Sequence, residues 1–203
     1  MEQAEAESYI THGREERNLE YKESLNWADN ATKAKITKAV LGMTNIRDGG
    51  VVVIGVQQQG ETFVPRGMND TDFESFQQDA VSDYIAEYAD PFVELTVSRC
   101  EYNDGKYVFV QVKEFEELPV ICKRAYQEIL RRGAIYTRSR RKPETIQVPT
   151  QTEMREIIEL AVDKGIRKQS ERLGRAGLQV GQAPTPEEAS RRAFDEQLES
   201  DGL

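Results

Sequence analysis

Alternation and helical spacing of apolar residues divide the chain into a series of short elements. From Leu19 to Leu25 the pattern alternates, with Leu19 and Tyr21 facing one way and Glu20, Lys22 and Ser24 the other, which predicts a short strand. Asn30 is a natural cap for a helix running to about Asn45, with Ile36, Val40 and Met43 on one face beside Ala39 and Leu41. Lys33, Lys35 and Lys38 are left in water or facing a partner. Asp48-Gly49-Gly50 then leads into the unbroken run Val51 to Val56, the pattern of a buried central strand, and Gly55 marks a close approach to the backbone. A returning strand is expected over 61–65. A helix capped by Asp70 or Thr71 follows over about 72–88, burying Phe73, Phe76, Ala80, Tyr84 and Ile85 and stopped at Asp90-Pro91. Residues 92–100 alternate and meet Lys106 to Phe115 through Asn103-Asp104-Gly105, the clearest hairpin in the chain. Leu118 to Cys122 and 133–137 read as strands, and 125–131 as one or two helical turns between them. Thr150 or Thr152 caps a long helix whose apolar face is Met154, Ile157, Ile158, Ala161 and Val162.

The order of these elements predicts an α+β domain, a mixed β-sheet packed with helices on at least one face. We place it at residues 13–172, after a flexible acidic leader or marginal helix at 1–12. From 173 to 203 the composition changes. Gly177, Gly181, Pro184 and Pro186 mark a linker, Thr185-Pro186 starts a short charged helix, and Phe194 and Leu198 are its few large apolar groups. That segment is expected to be mobile or to depend on a protein partner.

Composition narrows the function classes. With 203 residues and 38% hydrophobic content, the chain suits one substantial core and an extension. It has no run of 18 apolar residues to span a membrane and no apolar segment at its start, so the cytoplasm is the expected location. Cys100 and Cys122 make neither a disulfide framework nor a zinc motif, and His12 is the only histidine. The formal net charge of -9 excludes a generic basic protein that coats DNA. Yet Lys123 to Lys142 holds eight basic residues, namely Lys123, Arg124, Arg131, Arg132, Arg138, Arg140, Arg141 and Lys142, against one acid, Glu128. Such a patch suits phosphates, while the negative remainder limits non-specific binding. The bland alternative is a solvated basic segment paired with acids elsewhere.

Two further features carry both a functional and a structural reading. The amides around Asn45, Gly49 and Gly50 form a candidate phosphate cradle, or the glycines serve only a positive φ before a buried strand. No Gly-x-x-x-x-Gly-Lys run accompanies them, so nucleotide hydrolysis has no support. Tyr126 or Tyr136 is a candidate to stack on an unpaired base, although Tyr136 reads better as a half-buried sheet residue. No helix-turn-helix, zinc-finger or RNA-recognition motif is present, so backbone contact is expected rather than sequence reading.

Three segments together resemble the Schlafen/AlbA-type nucleic-acid-binding domain of bacteria and archaea. They are Gly13 to Ser24 with its Glu20-Tyr21-Lys22 core, Ala39 to Asn45 with Asp48 to Val56, and Gly133 to Arg138. The resemblance spans about residues 13–160. It implies a catalytic and metal-binding role for Glu15 and Glu20, with Lys22 beside them, on Mg2+ or Mn2+ in the family's nuclease branch. That branch supplies an aspartate after the Ile-Gly-Val strand, where this chain has Gln57 and Gln58, so nuclease activity is disfavoured. The resemblance also implies pairing, hence a homodimer in which the long helix after Thr150 can take part. Three functions compete: binding of RNA or DNA through phosphates, weak and salt-dependent; a metal-dependent ribonuclease or DNase; and a non-enzymatic module for a protein partner. For Glu20 and Lys22 the structural alternative is a same-face ion pair on a wet sheet.

Overall fold

The computed structural model describes residues 1–177. In chain order the elements are α1 (Gln3–Thr11), β1 (Leu19–Lys22), α2 (Asn30–Thr44), β2 (Gly50–Ile54), β3 (Val56–Gln59), β4 (Thr62–Pro65), α3 (Asp70–Ser75), α4 (Gln78–Ala86), β5 (Ala89–Asp90), β6 (Leu95–Tyr102), β7 (Gly105–Val112), β8 (Ile121–Cys122), β9 (Tyr136–Arg138), β10 (Thr145–Gln147) and α5 (Gln151–Arg175). The main sheet has the order β1-β2-β7-β6, with β1 parallel to β2 and the other pairings antiparallel. Met1–Val162 forms one compact unit. Of a second unit, Asp163–Leu203, the described part is the latter portion of α5 and the residues to Gly177. The expected tail helix at Thr185-Pro186 lies outside the described residues.

The parity of the strands creates two apolar faces. Val52 and Ile54 of β2 with Val108, Val110 and Val112 of β7 join the larger core, beside Ile36, Val40, Leu41 and Met43 of α2. Val51, Val53, Tyr107 and Phe109 point the other way, where Leu19 and Tyr21 of β1 meet Ala6 and Ile10 of α1. The acidic start of the chain, expected as a flexible leader or a marginal helix, is helical over 3–11. It covers the second sheet face, because Ala6 and Ile10 stand four apart and are almost fully buried.

Several boundaries move for local reasons. Asp29, not Asn30, caps α2, its carboxylate accepting from the Thr32 amide at 2.7 Å. The helix expected over 72–88 is two helices broken at Phe76 and Gln77. Asn69 caps the first, and Val81 rather than Ala80 is buried in the second. Residues 126–130 close a tight turn instead of a helical one, with the Tyr126 and Leu130 backbones bonded to each other. The strand at 118–122 shrinks to Ile121–Cys122. It pairs with β5, and Cys122 also exchanges backbone hydrogen bonds with Gly133 and Ala134. In α5 the buried residues are Ile157 and Leu160, while Ile158 and Val162 remain half exposed.

Candidate nucleic-acid interface

The site grows from the edge strand β1. The β1–β2 register sets Glu20 beside Val52 and Lys22 beside Ile54, so both polar side chains share the sheet face that α2 covers. The hairpin β9–β10 lies against α2. Gly42 permits this contact, since a Cβ there would come within 2.5 Å of the Thr145 methyl group. In that hairpin Arg138 stands opposite Thr145, which brings its guanidinium under the sheet edge to Glu20.

These elements enclose a cleft of about 480 Å³, lined by Glu15, Glu20, Lys22, Arg138 and, from α2, Lys35 and Lys38. Glu128 and Ile129 complete one rim, and Pro143, Glu144 and Thr145 another. Glu20 is buried and bound by two cations. Its Oε1 lies 2.5 Å from Lys22 Nζ, and its Oε2 accepts from Arg138 Nη1. Arg138 is fully buried and further donates to the carbonyls of Arg17 (3.0 Å), Glu16 (3.1 Å) and Pro143 (3.0 Å). Burial pulls its pKa below the ordinary value, opposed by the charges of Glu20, Glu15 and Glu144. Glu15 is half-buried and accepts the Tyr21 amide at 2.9 Å. Burial raises its pKa, against that hydrogen bond, and the neighbouring charge of Glu20 adds to the rise. Lys38 sits 5.6 Å from the ring centre of the buried Tyr136.

The fold thus brings together Glu15, Glu20 and Lys22 as expected, although Glu20 is shielded rather than open to solvent. It disperses the basic run. Arg138, expected in a surface patch, is instead a buried partner of Glu20. Arg124 pairs with Glu87 at 2.7 Å and Arg140 with Glu156 at 3.2 Å, which leaves Lys123, Arg131, Arg132, Arg141 and Lys142 as the other exposed members. Four of these flank the cleft in sequence: Arg131 and Arg132 follow Glu128 and Ile129, and Arg141 and Lys142 precede Pro143 and Glu144. Lys35 and Lys38 were legible only as cations on the polar face of a helix, and nothing in the sequence aims them at β1.

The turn at Asn45, Gly49 and Gly50 is tied into the fold by internal hydrogen bonds. The Asn45 side chain is buried, donating to the Leu41, Val120 and Tyr136 carbonyls and accepting the Val120 amide. Asp48 N–H donates to Glu114, and Gly49 N–H donates to the Ile46 carbonyl. Gly49 has φ +69, and a Cβ on it would fall 2.0 Å from the Val112 oxygen. Tyr136, at 3% exposure, is closed to base stacking.

The residues do not fit a divalent ion. Both Glu20 oxygens are engaged by protein cations, and Glu15 already accepts the Tyr21 amide. Neither Gln57 and Gln58, on β3, nor Asp48, in the turn before β2, is among the residues that line the cleft. Among the described residues no three His, Cys, Asp or Glu side chains converge as a metal site. A hard cation needs several anionic oxygens at once, and here it would also meet the Arg138 charge.

The sequence profile of the Schlafen, AlbA_2 family matches residues 15–147. No curated protein matches the chain. Among solved structures, the DIP2311 protein from Corynebacterium diphtheriae is similar at 14% identity and TM-score 0.49, over 75% of this chain and 27% of that one. The chain thus spans about a quarter of that protein. The N-terminal domain of a RecG-related protein from Nitrosomonas europaea is similar at 19% identity and TM-score 0.47, over 65% of this chain and 89% of that domain. No helix among the described residues is long and apolar enough to cross a membrane.

Proposed function

This chain belongs to the Schlafen, AlbA_2 family, and from that premise we propose that it binds nucleic acid through phosphates, without strong sequence specificity. One observation carries the reading. Lys22, Lys35 and Lys38 share one cleft, and the two loops on its rim carry Arg131, Arg132, Arg141 and Lys142. Ammonium groups lining a concave site, with further cations in the adjoining loops, suit a phosphodiester backbone and read no base edges. The net charge of -9 on the whole chain keeps such binding local and moderate in strength. RNA and single-stranded DNA suit the cleft better than duplex, because an unpaired strand can follow a narrow groove. A homodimer would double the cationic surface, and the half-exposed Ile158 and Val162 of α5 support one.

The test is a titration of labelled RNA, single-stranded DNA and duplex DNA at several salt concentrations. With three to five phosphates engaged, log affinity should fall against log salt with a slope of about -2 to -3.5 for single strands. Lys35→Ala with Lys38→Ala should weaken every sequence alike and flatten the slope by about one unit or more. No binding at low salt by any of the three nucleic acids would refute the reading.

A further inference from the structure

Resting on the nucleic-acid reading, we infer that the cleft takes one nucleotide unit by its phosphate, held directly on lysines and without a divalent metal. The chain's own cations stand where a metal would. Glu20, the most deeply buried carboxylate of the cleft, already lies between Lys22 and Arg138. Arg138 is fixed by three backbone carbonyls besides, so it cannot swing away to admit an ion. Glu15 and Glu20 balance Lys22 and Arg138 at the floor of the cleft, so the charge left for a ligand comes from its walls.

Lys35 and Lys38 add two more charges from the wall formed by α2. Their spacing of three residues sets them on one helix face, and Lys35 is exposed while Lys38 is half-buried. The whole lining holds four carboxylates and four cations, but Lys22 and Arg138 are the two that Glu20 engages, which leaves Lys35 and Lys38 for a phosphate. Glu128 and Glu144 are exposed on the rims, where solvent weakens their charge as it does that of the exposed Lys35. Glu15 lies lower but is drawn onto the Tyr21 amide. Ala39, Ile129 and Pro143 give the same cleft apolar lining for a sugar or base. The volume of about 480 Å³ falls in the range of sites for single small molecules, roughly 300–1,000 Å³. It is on the scale of one nucleotide.

The experiment follows UMP and AMP binding to the full chain by calorimetry and phosphorus NMR, in EDTA and then in excess Mg2+ or Mn2+. Inorganic phosphate serves as the minimal probe. Binding is expected in EDTA, with the metal ions leaving affinity within about twofold or lowering it as they compete for phosphate. Lys35→Ala with Lys38→Ala should leave the thermal melt close to native, the loss at Lys38 being its contact with the Tyr136 ring, and weaken the mononucleotide roughly tenfold, as loss of charged hydrogen bonds does. Binding that appears only with Mg2+ or Mn2+ would overturn the inference, and so would a double variant that binds like the native chain. The same preparations are titrated with a labelled single strand. If the strand binds and the mononucleotide does not, the inference fails and the broader reading stands; if neither binds, both fail.

Discussion

Replacing Glu20 with leucine should be among the most damaging single changes in the site. The native Arg138 side chain is 0% exposed and the Glu20 side chain 10% exposed, and the two are directly paired. Glu20→Leu leaves a guanidinium with only the Glu16, Arg17 and Pro143 carbonyls and the Thr145 hydroxyl around it. Removing one partner of a buried ion pair costs about 3–5 kcal/mol. Lys22 provides the internal comparison. Its side chain is 28% exposed, so its own loss is softened by water. Lys22→Met should cost about 1 kcal/mol or less. In urea, with a slope of about 2 kcal/mol per molar, Glu20→Leu should lower the midpoint by roughly 1.5–2.5 M and Lys22→Met by about 0.5 M or less. Arg138→Met should resemble Glu20→Leu. The double variant should be less destabilised than the sum, since it removes both charges, yet should not recover fully because three carbonyls lose their donor. If Glu20→Leu and Lys22→Met shift the midpoint equally at an unchanged slope, the argument from burial is wrong.

Acid should act through Glu156 and Glu15 with opposite signs. The Glu156 pKa is held below its ordinary 4.5 by Arg17, with burial opposing and Arg140 helping. Its contribution is therefore full above pH 4.5 and is lost as pH falls through the lower folded value. Glu156→Gln should flatten that part of a stability–pH curve measured by urea unfolding. Glu15, raised by burial, costs stability as pH rises from 4.5 through its higher folded value. Glu15→Gln, which keeps an acceptor for Tyr21, should match the native chain below pH 4 and equal or exceed it at pH 7. Gly49→Ala should cost more than about 2 kcal/mol, combining a left-handed backbone with a backbone clash, while Gly60→Ala, at φ +64 in open space, should cost about 1 kcal/mol. A thermal melt separates the two. Purified protein with RNA or DNA in Mg2+ or Mn2+ should show no cleavage above a chelated control, and cleavage abolished both by chelation and by Glu15→Gln would show that the cleft holds a metal after all.

Where local chemistry decides, the sequence was readable. Asn103 and Asp104 both tolerate positive φ, here 46° and 61°, and so make the two-residue loop of β6 and β7 that their order predicts. The unbroken apolar run at β2 is central and buried on both faces. Other elements depend on distant partners. The break at Phe76 carries no glycine or proline signal; its ring turns to Trp27, at 5.4 Å between centroids. β10 is three residues long and exists because β9 pairs with it and Gly42 leaves room for Thr145. α1 buries only two residues, too few to mark a packed helix, yet both meet the sheet. The cluster of cations from Arg138 to Lys142 could be read from the sequence. Which of them enters the core could not, because the acid that meets Arg138 lies 118 positions away.

Charge density along the chain selected residues 123–142, and a basic run is a fair marker only if its members stay unpaired in space. Arg124, Arg138 and Arg140 each meet an acid supplied by another element, Glu87, Glu20 and Glu156. The cations that occupy the cleft wall come from α2, where alternating lysines looked like ordinary helix surface. The Glu20–Arg138 pair joins the two facts. It joins the hairpin β9–β10 to the edge strand β1 at the point where α2 presents Lys35 and Lys38. The same contact that removes one arginine from the surface therefore builds the concavity in which the lysines converge. A variant that frees Arg138 would add a surface charge, and by this reasoning it would lose the site.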